Sequence, residues 1–484
     1  MALMLKTEEI VTTPTPSSGT FAELDSSEVT RFQYRIMFIS GMGVFTDAYD
    51  LFVIGVVVAL LETQWHLSIG QVSLLNSVTL AASAFGAIIF GRIADILGRR
   101  RIYGFEVLIL AIGAIASSLA PNYTFLLVAR IVLGIGIGGD YPVSATIMSE
   151  YSGAKSRGRL VGLVFAMQGA GLVIGPFIAA VLLATHVPTG LVWRLLLGLG
   201  AVPGLAVFYL RRQIKETPRF AQAGGDPLGA QAAIAAATGA PTSRTTAGAS
   251  KARHQQSAFE GFKTLGRNRR LLLWLIGTAG AWAMLDFAYY GNTISSPEVL
   301  KAINPHGTLL FNTSLQLLIF TVFALPGYAL AIWLLDRTGR KKIQCLGFTM
   351  MAVAFLSIGL VPGVTTTVAP FVLLFGMSYF FTEFGANTTT FINPAEIFPV
   401  DVRTTGHGIS AAAGKMGAFA GAYFFPDMLA SSLGLRGAEI VAGAVCLVGL
   451  GLSLWLLPEP KGLSLEQIEQ TAYASSSANS KPVK

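Results

Sequence analysis

Twelve apolar runs recur along the chain, near 34–61, 73–97, 102–120, 124–149, 159–184, 191–210, 271–294, 309–335, 343–361, 369–391, 404–432 and 437–457. Each reaches the length of about 20 residues that a helix needs to cross a bilayer. A buried core helix accounts for one or two such runs, not for a dozen. A soluble chain of 484 residues would also need more than 12% charged residues to cover its surface. The expected fold class is therefore an all-α membrane protein with twelve transmembrane helices.

The basic residues lie in alternate loops: "GRRR" at 98–101, "AKSRGR" at 154–159, "RRQIKETPR" at 211–219, "GRNRR" at 266–270 and "DRTGRKK" at 336–342. This bias orients a membrane protein with its basic loops inside. It places both termini and the central loop in the cytoplasm. The net charge of +8 then matches an anionic inner leaflet rather than nucleic acid. Residues 1–30 are polar, lack the layout of a cleaved signal and read as a disordered cytoplasmic tail.

Residues 221–260 hold no apolar span and read as a flexible linker. The expected organisation is a six-helix bundle over 31–210, a cytoplasmic linker over 211–270, a second bundle over 271–457 and a cytoplasmic tail over 458–484. The halves echo each other. "GRIADILGRRR" (91–101) matches "LDRTGRKK" (335–342), with Asp95 and Asp336 separated by 241 positions. "SEYSGAKSRG" (149–158) matches "PAEIFPVDVRTTG" (394–406) at an offset of 246; each places an acid seven residues before an arginine, Glu150 with Arg157 and Glu396 with Arg403. Near-constant offsets indicate duplicated bundles, as in secondary transporters.

A charge at the centre of a membrane helix costs roughly 2.5–3.5 kcal/mol on insertion scales. The chain nevertheless keeps Asp47, Asp50, Asp140, Asp286, Glu383 and Lys415 inside its spans. These groups must face a polar cavity or one another. Asp47 and Asp50, three apart, share a helix face. In "WAMLDFAYYGN", Trp282, Asp286 and Tyr289 or Tyr290 fall on one face. Gln168 sits near the middle of its span, and Glu383 stands one turn from Asn387. Glu106 and Arg130 read as a structural pair. The two cysteines and the scattered histidines form no metal site. No nucleotide loop and no catalytic constellation is present, so no cofactor and no enzymatic activity are expected.

The motif "DxxGRR" and its second copy resemble the loop signature of the major facilitator superfamily, and "RIVLGIGIGG" (130–139) resembles its span-four motif. "GGDYPVSATIMSEY" (138–151), "FAMQG" (165–169), "FTDAYDLFVI" (45–54), "GANTTTFINPAEIFP" (385–399) and "HGISAAAGK" (407–415) resemble the phosphate:proton symporter family. That resemblance implies a carrier that moves inorganic phosphate with protons. It carries phosphate contact to Tyr141, Gln168, Trp282, Asp286, Tyr290 and Asn387, and binding to Lys415. It carries proton movement to Asp47, Asp50 and Asp140, with Asp286 serving both roles. The superfamily motifs imply gating roles for Asp95, Arg99, Glu150, Arg157, Asp336, Arg340, Glu396 and Arg403. Two positions depart from the family: Glu383, where an uncharged residue is expected, and Ala386, where proline is expected. Glu383 is an added candidate for proton coupling. The expected protein sits in the plasma membrane, works as a monomer and has phosphate, protons and lipid as partners. A sugar or organic-ion carrier and a phosphate sensor are the alternatives.

Overall fold

The computed structural model describes residues 20–239 and 259–477. Among the described residues, eleven helices are long and apolar enough to cross a membrane: Arg31–Trp65, Ile69–Leu97, Arg99–Ser118, Tyr123–Tyr151, Arg157–Ala184, Thr189–Arg212, Arg269–Ile294, Leu309–Thr338, Arg340–Leu360, Val368–Ile397 and Gly434–Leu456. The remaining expected span is the helix Arg403–Ala430. Counted in chain order it is the eleventh, and the twelve make up the expected fold. Its lower apolarity has a structural cause. Thr404, Thr405, His407, Ser410 and Lys415 are all buried in the protein rather than turned to lipid.

The eleventh span lies between the second and the seventh, packed by small residues. A methyl group on Gly414 would strike the Trp282 ring, and one on Gly408 would strike the carbonyl of Ala87 in the other half. Small residues let membrane helices approach this closely. Gly91, on the second span, meets Gly408 at the same crossing.

Two spans widen locally into π-helical turns, at Phe320–Ala324 and Thr382–Asn387. Such turns release backbone groups from the regular ladder and are frequent at functional sites. The second carries both Glu383 and Asn387. Thr388 donates its hydroxyl to the freed carbonyl of Glu383 at 2.6 Å.

The peripheral segments contain more structure than the sequence reading anticipates. Within the expected flexible linker, Pro227–Thr238 is a helix capped by Asp226, with Ala230, Ala233, Ile234 and Ala237 buried. The low-complexity sequence hides it because alanine is the best helix former. Ala22–Ser26, inside the expected disordered tail, is also helical, and Asp25 is drawn in by Arg219 at 3.3 Å. Thr30 caps the first span and donates to the Ala237 carbonyl at the end of the linker helix. A helix Leu465–Ser477 follows the last span and packs on Leu265, Trp274, Ile397 and Phe398. The remainder of the linker reading, at 240–258, and of the tail readings, at 1–19 and 478–484, lies outside the described residues.

Candidate substrate site and cytoplasmic gate

The expected binding residues converge midway along the bundles, at the seam between the halves. Tyr141, Gln168, Trp282, Asp286, Tyr290, Asn387 and Lys415 are all buried. Lys415 is the hub. Its Nζ donates to Tyr290 Oη at 2.8 Å and to Tyr141 Oη at 3.3 Å, joining a C-half tyrosine to an N-half one. The same ammonium lies 4.3 and 4.5 Å from the two ring centroids, a favourable cation–π arrangement. Asp286 Oδ2 stands 3.9 Å away, and neither of its oxygens has a hydrogen-bond partner.

Trp282 closes one wall. It packs against Tyr141 at 6.2 Å, Phe391 at 6.3 Å and His407 at 5.6 Å between centroids. His407 is buried behind Trp282, with Nε2 at 3.0 Å from the Phe391 carbonyl.

A second cluster spans the seam nearby. Asn387 Nδ2 donates to Gln168 Oε1 at 2.8 Å and to Glu383 Oε2 at 2.6 Å. Tyr328 Oη donates to the same Gln168 oxygen at 2.6 Å. Tyr328 escapes the sequence reading because it follows Pro326 in an otherwise apolar run. Glu383 is thus held by a neutral amide, and its second oxygen is unpartnered.

The N-half acids are arranged differently. Asp140 forms a bidentate pair with Arg211, at 2.6 and 3.1 Å, and the same guanidinium reaches Glu106 at 2.9 Å. Arg211 also lies over the Tyr103 ring at 4.4 Å. The expected pairing of Glu106 with Arg130 is therefore wrong. Glu106 packs against Gly136 and Gly139 of the fourth span, about two turns along from Arg130. Arg130 donates instead to the main-chain oxygen of Asp50 at 3.0 Å. Arg211 was counted with the linker because it follows the sixth apolar run. Two buried carboxylates without a cation were the signal that could have found it. Asp47 and Asp50 are buried with all four carboxylate oxygens unpartnered, and they diverge onto different neighbours. Asp47 lies within electrostatic reach of Asp140, Arg211 and Lys415. Asp50 packs against Gly200 on the sixth span.

The expected gating residues assemble at the end of the bundles where the helices Ala22–Ser26 and Leu465–Ser477 lie, with partners exchanged between halves. Arg99 pairs with Asp95 and Glu150, each at 3.1 Å, and Glu150 reaches across to Arg403 at 2.9 Å. Arg340 pairs with Asp336 and Glu396, each at 2.9 Å. Asp95 accepts from the backbone N–H groups of Thr404 and Thr405, capping the eleventh span. Asp336 accepts from the N–H of Arg159, capping the fifth. Each acid thus serves the positive end of a helix in the opposite half. Arg157 makes no direct pair with Glu396; it donates to the Leu463 carbonyl and stands 3.8 Å from Asp25.

Two further acids complete the repeat. Glu216 accepts from the N–H groups of Arg99 and Arg100, and Glu459 from those of Arg340 and Lys341. They stand 243 positions apart, in "KETPR" and "PEPKG". The sequence reading missed that echo.

Two six-helix bundles, a buried polar seam between them and the ion pairs that join them at one end together define a membrane transporter of the major facilitator superfamily. Residues 36–472 match the family described as sugar (and other) transporter, and the chain belongs to that family. Its relatives there include inorganic phosphate transporter 1-6 of Oryza sativa subsp. japonica, 34% identical over 94% of this chain and 96% of that one. Probable inorganic phosphate transporter 1-6 of Arabidopsis thaliana is 35% identical, over 92% and 95%. Inorganic phosphate transporter 1-1 of the same plant is 32% identical, over 94% and 98%. Among solved structures, the proton:xylose symporter XylE bound to 6-bromo-6-deoxy-D-glucose superposes with a TM-score of 0.75 at 20% identity, covering 90% of this chain and 98% of that one. XylE from E. coli in its inward-open conformation gives 0.62 at 19% identity, over 90% and 99%. These two likenesses concern the fold.

Proposed function

We propose that this transporter imports inorganic phosphate together with protons by alternating access. The observation that carries the reading is Lys415, bound to one tyrosine from each half and flanked by Asp286. An anion between the halves meets a positive charge, tyrosine hydroxyls, an indole N–H and two side-chain amides, all suited to phosphate oxygens.

Asp286 makes that binding depend on protons. Ionised, it stands beside Lys415 and repels an arriving anion. Two like charges about 4 Å apart repel by roughly 4 kcal/mol at an effective dielectric of 20. Protonated, it frees the ammonium and becomes a hydrogen-bond donor. Asp47 and Asp140 line the N-half side of the same route, and Glu383 adds a titratable group beside Asn387. Bound protons also offset the membrane potential, negative inside, which opposes an anion by about 2.3 kcal/mol per charge per 100 mV.

The gate then opens by parting Glu150 from Arg403 and both acidic caps from their helices, and the halves rock about the site. The protein works as a monomer in the plasma membrane, with both termini and the linker in the cytoplasm, and moves its cargo chemically unchanged. The test is uptake of labelled phosphate into proteoliposomes. An inward proton gradient should drive it and a protonophore should collapse it. Uptake that instead requires sodium would overturn proton coupling, and wild-type protein that ignores phosphate would overturn the substrate.

A further inference from the structure

One buried acid lies outside everything described so far. Glu439 sits in the second turn of the twelfth span, Gly434–Leu456, at the end remote from the gate. It is fully buried, and neither carboxylate oxygen has a hydrogen-bond partner. No basic residue compensates it. Arg436, one turn earlier, is committed to the carbonyls of Gly359 and Leu360, at 2.9 and 3.3 Å. Cys446 lies further along the same helix, and Asp427, on the eleventh span, is exposed. From the seventh span Asn292 faces Glu439, and its own Oδ1 is unpartnered. From the tenth span Tyr379 comes within electrostatic reach.

Polar groups continue from there toward the substrate site. Tyr379 Oη donates to Thr293 Oγ1 at 3.0 Å. The Tyr379 ring packs edge-on against Tyr289 at 6.1 Å, and Tyr289 against Tyr290 at 5.2 Å. Tyr289 Oη and Glu383 Oε1, both unpartnered, face each other. Tyr290 is the residue that receives Lys415. An uncompensated carboxylate is costly to bury as an anion, and a proton removes that cost.

We propose that Glu439 is a further proton-binding site of the C-terminal bundle, besides Asp286 and Glu383, loaded from the outer side and linked through Tyr379 and Tyr289 to Glu383. The proposal rests on proton-coupled phosphate import as argued above. Its protons are those of the transported gradient, so no further reactant is needed.

The experiment measures protons moved per phosphate, and the pH profile of uptake, in proteoliposomes. Glu439→Gln keeps the shape and removes the titrating group. It should lower the ratio by one proton and flatten the pH profile, while phosphate affinity at a fixed pH changes less than about twofold. Tyr379→Phe should slow proton-driven uptake several-fold and leave the ratio intact. If Glu439→Gln does not fold, Glu439→Asp should shift the pH profile. A wild-type ratio and profile in the glutamine variant, or a wild-type profile in the aspartate variant, would overturn the role of Glu439. Wild-type protein that moves phosphate without protons would instead overturn the underlying function.

Discussion

Both bundles bury carboxylates, but they neutralise them differently. In the N-terminal bundle Asp140 and Glu106 share Arg211, and Arg130 stands beside Asp50. In the C-terminal bundle the cation beside Asp286 is Lys415 at 3.9 Å, Glu383 is held by an amide, and Glu439 faces the amide of Asn292. Arginine stays protonated under nearly all conditions, whereas lysine and neutral donors leave an acid free to change state. The contrast is one of counter-charge: arginine holds Asp140 and Glu106 in the first bundle, where Asp47 and Asp50 stay unpartnered, and no arginine holds the three acids of the second.

The strongest attempt to break this division is Asp286→Asn. Asparagine keeps the shape but cannot titrate. Proton-driven phosphate uptake should fall to background, while phosphate still binds with a blunted pH dependence. Full proton coupling in this variant would move the coupling site to Asp47 and Asp140, and the division would fail. Arg211→Met tests the counter-charge from the other side. It strands two buried carboxylates and should cost about 3–5 kcal/mol of stability, read by thermal unfolding in detergent. Adding Asp140→Asn and Glu106→Gln should recover most of the loss. A stable Arg211→Met protein would show that this counter-charge is not structural.

Smaller effects sharpen the picture. Asp95→Asn or Asp336→Asn weakens one acidic cap by about 1–3 kcal/mol, and labelling of a cysteine placed at the cytoplasmic mouth should rise. No rise in either variant would remove the caps from the gate. Glu383→Gln should shift phosphate binding only a few-fold. Tighter binding would mark Glu383 as an ionised neighbour of the anion, and a moved pH optimum as a proton carrier; no change in binding or uptake across pH would exclude it.

The smallest effect concerns Glu466, in the C-terminal tail. Burial pushes its carboxyl up, but the charge and hydrogen bond of Arg219 outweigh this and bring it down to about 2. Its folded value lies below its unfolded one. The contribution of this pair is therefore complete above the ordinary glutamate range and is lost as pH falls through about 2. Between roughly pH 5 and 8, Glu466→Gln should leave the shape of the uptake profile unchanged. A changed profile would show that the Glu466–Arg219 pair titrates during transport.

Spacing made much of this legible. The twelve spans, the duplicated loop signatures and the Trp282, Asp286, Tyr290 face all follow from helical periodicity and length. Arg211 was not legible, because its position at the end of an apolar run reads as a loop while tertiary packing draws it inward. Neither was the exchange of gate partners. A sequence echo pairs Glu150 with Arg157 along the chain, and only the meeting of the halves shows that Glu150 takes Arg403. Glu439 stayed hidden because it lies so near the start of its run that it reads as an edge residue.

The reciprocal caps bear on how the protein is made. The fifth span receives its cap from Asp336 on the eighth, and Asp95 waits for the N-terminus of the eleventh. During synthesis the first six helices enter the membrane with one helix end uncapped and with Asp95, though paired with Arg99, still lacking the helix it caps. Neither half, expressed alone, can complete its own gate end. Co-expressed as two separate polypeptides, the halves should find each other, each supplying the group the other lacks.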